Sequence, residues 1–275
     1  MSTHLLKYDC FRDYRRPMDT GDLVVDRSEA GIAQLILHRP HQLNAWTLSL
    51  EGAFFGALDA ARVDPDVRVV VITGHGRGFC AGASRDMLGG ASRPQGPRRQ
   101  LRELAEYPKP VIAAINGPAI GLGLALALAC DIRICSREAT LGTAFATLGL
   151  VAEHASAWLL PRIVGRAHAT DLLLSGRTVT GTEAESIGLV NRAVEPGSAL
   201  PEALAYARVL IATGAPGSWA TIKQQLVAAE SMSLAEANDQ SIALMGPALA
   251  SEDHREALAA WREGRPPQFR PLPRP

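Results

Sequence analysis

Val111-Ile-Ala-Ala-Ile-Asn-Gly-Pro-Ala-Ile-Gly-Leu-Gly123 is the stretch on which the fold turns. Five apolar residues, closed off by Pro110 before and Asn116-Gly117-Pro118 after, read as a fully buried strand. The Gly-x-Gly turn leads into a helix ending near Cys130, and Asp131–Cys135 resumes as a strand with alternating apolar residues. An earlier segment repeats the design. Val67–Thr73 is an apolar strand between Asp66 and Gly74, and a glycine-rich loop, Gly74-His-Gly-Arg-Gly78, carries the chain on to Gly82. Amides at such strand–loop–helix junctions lack partners and have the helix dipole behind them. Two of them converging on one point form an oxyanion hole. Taken singly, each glycine loop reads more simply as a turn.

Towards the N-terminus, Asp22–Arg27 and Ile32–His38 form a hairpin about a turn at Glu29-Ala-Gly31, ended by Arg39-Pro40. Thr47 caps a helix over 48–62, with Pro65 beyond its end. Gly89–Pro97 reads as a loop, and Arg98–Glu106 as a helix stopped by Pro108 and Pro110. After Leu141 the pattern is helical nearly to the end, with Thr182-x-x-Glu185 and Ser233-x-x-Glu236 as capping boxes. Strands alternating with helices, then helices alone, predict an α/β core followed by a helical region. The expected divisions are an N-terminal extension over 1–20, a core over 21–200 and a C-terminal helical region over 201–275.

The 275 residues carry 28 basic and 28 acidic side chains, a balance that argues against a nucleic-acid binder. A hydrophobic content of 47% argues against disorder. The 44 alanines, and 25 arginines against 3 lysines, point to GC-rich coding rather than chemistry. Cys10, Cys80, Cys130 and Cys135 show no C-x-x-C spacing and no histidine cluster, so neither a metal site nor a disulfide framework is expected. A reducing, cytoplasmic setting follows as the simpler expectation. The N-terminus lacks the apolar segment of a signal peptide. The membrane-like stretch from Val111 to Cys130 is broken at Asn116-Gly117-Pro118, leaving about 12 uninterrupted residues, too few to span a bilayer. Dinucleotide fingerprints fail at Phe79 and Leu126. Gly82-Ala-Ser84-Arg-Asp86 lacks the last glycine of a nucleophile elbow, which leaves a serine hydrolase as a minor alternative.

Gly78-Phe-Cys-Ala-Gly-Ala83, Ile115-Asn-Gly-Pro-Ala-Ile-Gly-Leu-Gly123 and Cys130-Asp-Ile-Arg-Ile134 resemble the crotonase, or enoyl-CoA hydratase/isomerase, superfamily. So do His38-Arg-Pro-x-x-x-Asn44-Ala45, Gly149-Leu-Val-Ala-Glu153, Leu160-Pro-Arg-Ile-Val-Gly165, Ser175-Gly-Arg177 through Gly188-Leu-Val-Asn-Arg192, and the tail Glu263-Gly-Arg-Pro-Pro-x-Phe269. The likeness runs in order from Asp22 to Phe269. It implies an α/β, crotonase-like spiral of ββα units with a C-terminal helical trimerisation region, assembled as a homotrimer or hexamer. It implies an acyl-CoA thioester as ligand and a place in fatty acid metabolism, with coenzyme A as part of the substrate and no separate cofactor or metal. It implies that the amides of Ala83 and Leu122 hold the thioester oxygen as it becomes an enolate. Ala81, Ser84, Arg85, Asp86 and Gly121 would then line the substrate pocket.

Enolate chemistry also needs a placed base or acid. The resemblance implies two glutamates in ordinary hydratases, at positions held here by Ala125 and Phe145. Glu153 matches the position of the single acidic proton shuttle of some members, Δ3,Δ2-enoyl-CoA isomerases among them. Burial among Leu150, Val151 and Trp158 is expected to raise its pKa. The plainer interpretation of Glu153 is a helix-start carboxylate. His154 reads as a solvated or helix-capping histidine, Asp86 as an anchoring carboxylate, and His75 and Arg77 as loop surface near the CoA phosphates. Double-bond isomerisation through Glu153 is the favoured expectation. Hydration by Glu153 alone and a non-catalytic acyl-CoA binder stay open.

Overall fold

A computed structural model describes residues 18–19, 21–90 and 98–272. The expected extension lies outside them except at its end, where β1 (Met18–Asp19) pairs antiparallel with β2 (Leu23–Asp26). β2 and β3 (Ile32–Leu37) form the expected hairpin, with Leu23 opposite Leu37. α1 (Leu48–Val63) is capped as expected by Thr47, whose hydroxyl accepts from the Leu50 amide at 3.1 Å. Next come β4 (Val69–Gly74), α2 (Arg85–Leu88), β5 (Val111–Ile115), β6 (Ala119–Ile120), α3 (Leu122–Ala129) and β7 (Ile132–Ser136). They are followed by β8 (Thr140–Gly142), α4 (Ser156–Ser175), β9 (Thr178–Thr180), α5 (Gly181–Ser186) and β10 (Arg192–Val194). The helices α6 (Ala199–Thr213), α7 (Pro216–Ala229), α8 (Leu234–Leu249) and α9 (Glu252–Glu263) end the chain.

One sheet runs β1-β2-β3-β4-β5-β7-β10 and is parallel from β3 onward; a smaller one runs β6-β8-β9. Successive strand residues face opposite sides. Val69 and Val71 of β4 therefore join a core with Ala203 and Ala207 of α6, while Val70 and Ile72 join the core of α1 and α3. Both faces of β4 and β5 are covered, which is why the sequence shows them as unbroken apolar runs. Cys80, Cys130 and Cys135 are buried and unpaired. Lys223 of α7 docks on this core, donating to Asp131 at 2.6 Å and to the carbonyls of Leu104 and Lys109 at 3.2 Å each.

Three expectations change. Residues 98–106 hold only a short 3-10 turn, Leu101–Leu104, rather than a helix. The supposed helical run after Leu141 is interrupted by β8, β9 and β10, whose three residues each carry too little periodicity to read. Thr182 and Glu185 form no capping box, because α5 starts earlier. Its cap is Thr180, and the Glu185 carboxylate accepts from the Ala193 amide at 3.0 Å. The box at Ser233 and Glu236 is present. Among the described residues no helix is long and apolar enough to cross a membrane, and no group of three His, Cys, Asp or Glu side chains is arranged to hold a metal.

Candidate functional site

Two asparagines fasten the loop after β4. Asn44 accepts from the Arg39 amide at 2.8 Å and donates to the carbonyls of His75 at 3.0 Å and Gly78 at 2.7 Å. Asn116 accepts from the Gly74 amide at 3.1 Å and donates to the Gly76 carbonyl at 2.9 Å. His75 and Arg77 are exposed there, as expected.

The two glycine loops touch. Cys80 and Ala119 form a parallel bridge, and the Ile120 amide donates to the Cys80 carbonyl at 3.0 Å. A Cβ on Gly123 would stand 1.9 Å from that carbonyl oxygen, so only glycine permits the approach. Trp46 pairs with the other loop: its amide donates to the Gly82 carbonyl and its carbonyl accepts from the Ser84 amide, both at 2.8 Å. That bridge leaves the Ala83 amide unused. Leu122 is the first residue of α3, where an amide has no helical acceptor. Neither the Ala83 nor the Leu122 amide donates to any described residue.

Ser84 is buried and caps α2, its hydroxyl accepting from the Met87 amide at 3.4 Å. No histidine hydrogen-bonds to it among the described residues, which removes support from a nucleophilic serine. Arg85 and Asp86 are exposed, and Ala81 and Gly121 are half-buried. Ala125 is buried in α3, and the Phe145 ring lies against the turn at Gly121, 4.0 Å from where a Cβ would be. The Phe145 carbonyl accepts from the Leu150 amide at 2.8 Å, which ties the Glu153 segment to this side of the site.

Glu153 is not buried as the sequence predicts. Its side chain is 43% exposed, and Leu150, Val151 and Trp158 are exposed around it. The segment runs along the surface between the turn Ala146–Leu148 and α4, and none of the described residues buries it. Nor does Glu153 lie in the first turn of α4, which begins only after His154 and Ala155, both left-handed with φ of 50° and 61°.

His154 reverses expectation too. Two consecutive left-handed residues fold the chain back and turn its ring inward, leaving the side chain 8% exposed. Neither ring nitrogen has a hydrogen-bond partner among the described residues. Burial pushes its pKa below the ordinary value; Glu153 opposes this, Arg98 adds to it, and Glu51 opposes it. Its Nε2 lies 3.8 Å from Oε2 of Glu153.

Glu51 and Arg98 escaped the sequence analysis. The Arg98 guanidinium donates through Nε to Glu51 at 3.1 Å and also through Nη2, and the Trp46 indole donates to the same carboxylate at 3.1 Å. Burial pushes the Glu51 pKa up, but the Arg98 and Trp46 hydrogen bonds outweigh it and hold the group below its ordinary value. The available signal was helical phase: Glu51 shares the buried face of α1 with Phe54, Phe55 and Leu58. Ala83, Trp46, Glu51 and Arg98 thus form a continuous line of contacts, and the charges of Arg98 and Glu51 reach the Glu153–His154 turn.

The profile of the Enoyl-CoA hydratase/isomerase family matches residues 27–271. Similar proteins include the 1,2-epoxyphenylacetyl-CoA isomerase of Escherichia coli, 35% identical over 260 residues, covering 90% of this chain and 98% of that protein. The peroxisomal Delta(3,5)-Delta(2,4)-dienoyl-CoA isomerase of Arabidopsis thaliana is 30% identical over 271 residues, covering 92% of this chain and 98% of that protein. The crystal structure of an enoyl-CoA hydratase from Polaromonas superimposes with a TM-score of 0.83 at 34% identity, covering 90% of this chain and 99% of that one. The architecture is therefore the crotonase fold that the motifs imply. The chain belongs to the enoyl-CoA hydratase/isomerase family of enzymes.

Proposed function

We propose that the chain isomerises a double bond in an acyl-CoA thioester through an enolate, with the Ala83 and Leu122 amides on the thioester oxygen and Glu153 as proton shuttle. The observation carrying this reading is the pair of touching loops whose amides, one on each, have no acceptor among the described residues. One such donor is worth about 3–4 kcal/mol to an oxyanion. In a 3-enoyl-CoA the Glu153 carboxylate takes a proton from C2, and the electron pair moves onto the thioester oxygen as a dienolate. A proton returned from Glu153 to C4 gives the 2-enoyl-CoA. One base suffices, which accords with Ala125 and Phe145 standing where a hydratase would carry glutamates. The two relatives named isomerases act on other acyl-CoA thioesters, which supports isomerisation as the class of reaction. Ala81, Ser84, Arg85, Asp86 and Gly121 line the CoA and thioester pocket in this reading.

Hydration by Glu153 alone is a second reading, favoured by the exposure of its carboxylate to water. The proposal includes assembly as a homotrimer or hexamer, since α8 buries none of its residues and leaves Ile242, Met245 and Leu249 exposed. It also includes a cytoplasmic location, which suits three unpaired cysteines.

The test is a panel of 2-enoyl- and 3-enoyl-CoA substrates in deuterated water. Alkene migration is expected, slowed about 10²–10⁴-fold by Glu153→Ala. A 3-hydroxyacyl product would turn the assignment to hydration. Unchanged turnover in Glu153→Ala would remove Glu153 from the chemistry, and no turnover in either form would leave a binding protein.

A further inference from the structure

We propose that His154 is a positioning residue for Glu153: its Nε2–H donates to the Glu153 carboxylate and fixes where that carboxylate sits. The inference rests on Glu153 being the proton shuttle. The two groups differ in freedom. Glu153 is 43% exposed and makes no hydrogen bond through its carboxylate among the described residues, whereas the His154 side chain is 8% exposed and enclosed. The imidazole is thus the fixed partner and the carboxylate the movable one. The 3.8 Å between Nε2 and Oε2 exceeds a hydrogen bond by about 1 Å, and the proposal is that a rotation of the exposed Glu153 side chain closes it.

Burying an imidazole with both nitrogens unpartnered is costly, as is a left-handed backbone at two successive non-glycine residues. The first cost falls on His154 and the second on His154 and Ala155, the two residues that follow Glu153. A hydrogen bond to Glu153 relieves the first cost at Nε2, and the turn that aims the ring accounts for the second. The remaining charges near the ring are Glu51 and Arg98, already paired with each other and steadied by the Trp46 indole. Trp46 in turn pairs with Ala83. The charges that act on the His154 ring thus belong to side chains tied through Trp46 to the loop that carries one of the proposed oxyanion donors. A carboxylate misplaced by about 1 Å costs a reaction on the order of 10²-fold.

The test uses the full chain with His154→Leu, which keeps bulk and loses the donor, and His154→Gln, whose amide N–H reaches the Nε2 position. On an enoyl-CoA that the wild type turns over, His154→Leu is expected to lower kcat about 10–100-fold with KM nearly unchanged, and His154→Gln to restore most of it. Melting temperatures monitor folding. Full kcat in His154→Leu, or equal losses in the two variants, overturns the proposal. A second measurement needs no turnover. The His154 Nε2–H resonance, assigned by its absence from His154→Gln, is expected in 15N-histidine spectra at low temperature and is expected to be lost or shifted in Glu153→Leu. A resonance indifferent to Glu153→Leu also overturns it. If Glu153→Ala keeps full activity while the resonance still depends on Glu153, the pairing stands and the catalytic assignment of Glu153 falls.

Discussion

Proline is tolerated at the first position of a helix, because the amide it lacks has no helical acceptor. Leu122 occupies that position in α3. Leu122→Pro thus deletes one proposed oxyanion donor and keeps the helix, and kcat should fall about 10²–10³-fold with circular dichroism unchanged. An unaffected kcat would exclude that amide. One residue on, Gly123→Ala drives a methyl into the Cys80 carbonyl and should cost about 3 kcal/mol or more. Gly56→Ala, exposed in α1 with nothing near its Cβ, should instead gain about 0.5–1 kcal/mol. Urea denaturation reads both signs. Stability should also depend on pH through His154. Its folded pKa is depressed by burial and by Arg98 against the opposition of Glu153 and Glu51, so below about pH 6.5 the unfolded chain takes up a proton that the folded chain resists. Stability is therefore lost as pH falls from about 6.5, and His154→Gln should flatten that slope. Below the ordinary glutamate range a second loss sets in as Glu51, held low when folded, is protonated. At this scale the glycines at 82, 121 and 123 were legible, because a left-handed backbone at the first two and a close approach at the third favour glycine. His154 was not, since its burial depends on a backbone reversal that no local pattern announces.

Among the elements, Lys223 ties α7 to the residues that flank β5 and β7, and no local pattern singles it out. Lys223 satisfies Asp131 and two carbonyls, while Asp131 also accepts from the Val111 amide at 2.7 Å. Burial pushes the Lys223 pKa down and the Asp131 pKa up, with each charge opposing the shift of the other. Lys223→Met leaves Asp131 buried without its counter-charge and should cost about 3–5 kcal/mol in urea unfolding. A loss under about 1 kcal/mol would mean that α7 docks by apolar contact alone. The partners lie far apart in sequence, so charge patterning along α7 could not disclose the pair. The long buried strands and the cap at Thr47 were readable because each is a local regularity; β8, β9 and β10 exist only through their pairing.

For the whole molecule, α8 and the segment beside Glu153 each expose several apolar residues, so the proposed assembly and the proposed chemistry both draw on surface that one chain leaves open. Sedimentation equilibrium should return three or six copies, and Ile242→Glu should lower that mass. A wild-type mass of one chain would refute the assembly. The eight motifs made the fold readable from sequence by their order, while composition only narrowed the class. Cys80, Cys130 and Cys135 are enclosed, and burial pushes each thiol up to about 12. At neutral pH the folded chain therefore presents almost no thiolate at these sites, and an alkylating reagent reacts only when the structure opens. With Cys10 replaced by serine, the three alkylation rates become clocks for breathing at three depths: beside the glycine turns, at the end of α3 and within β7. If Cys80 reacts well ahead of Cys135, the loop that bears Ala83 opens while the sheet behind it stays closed.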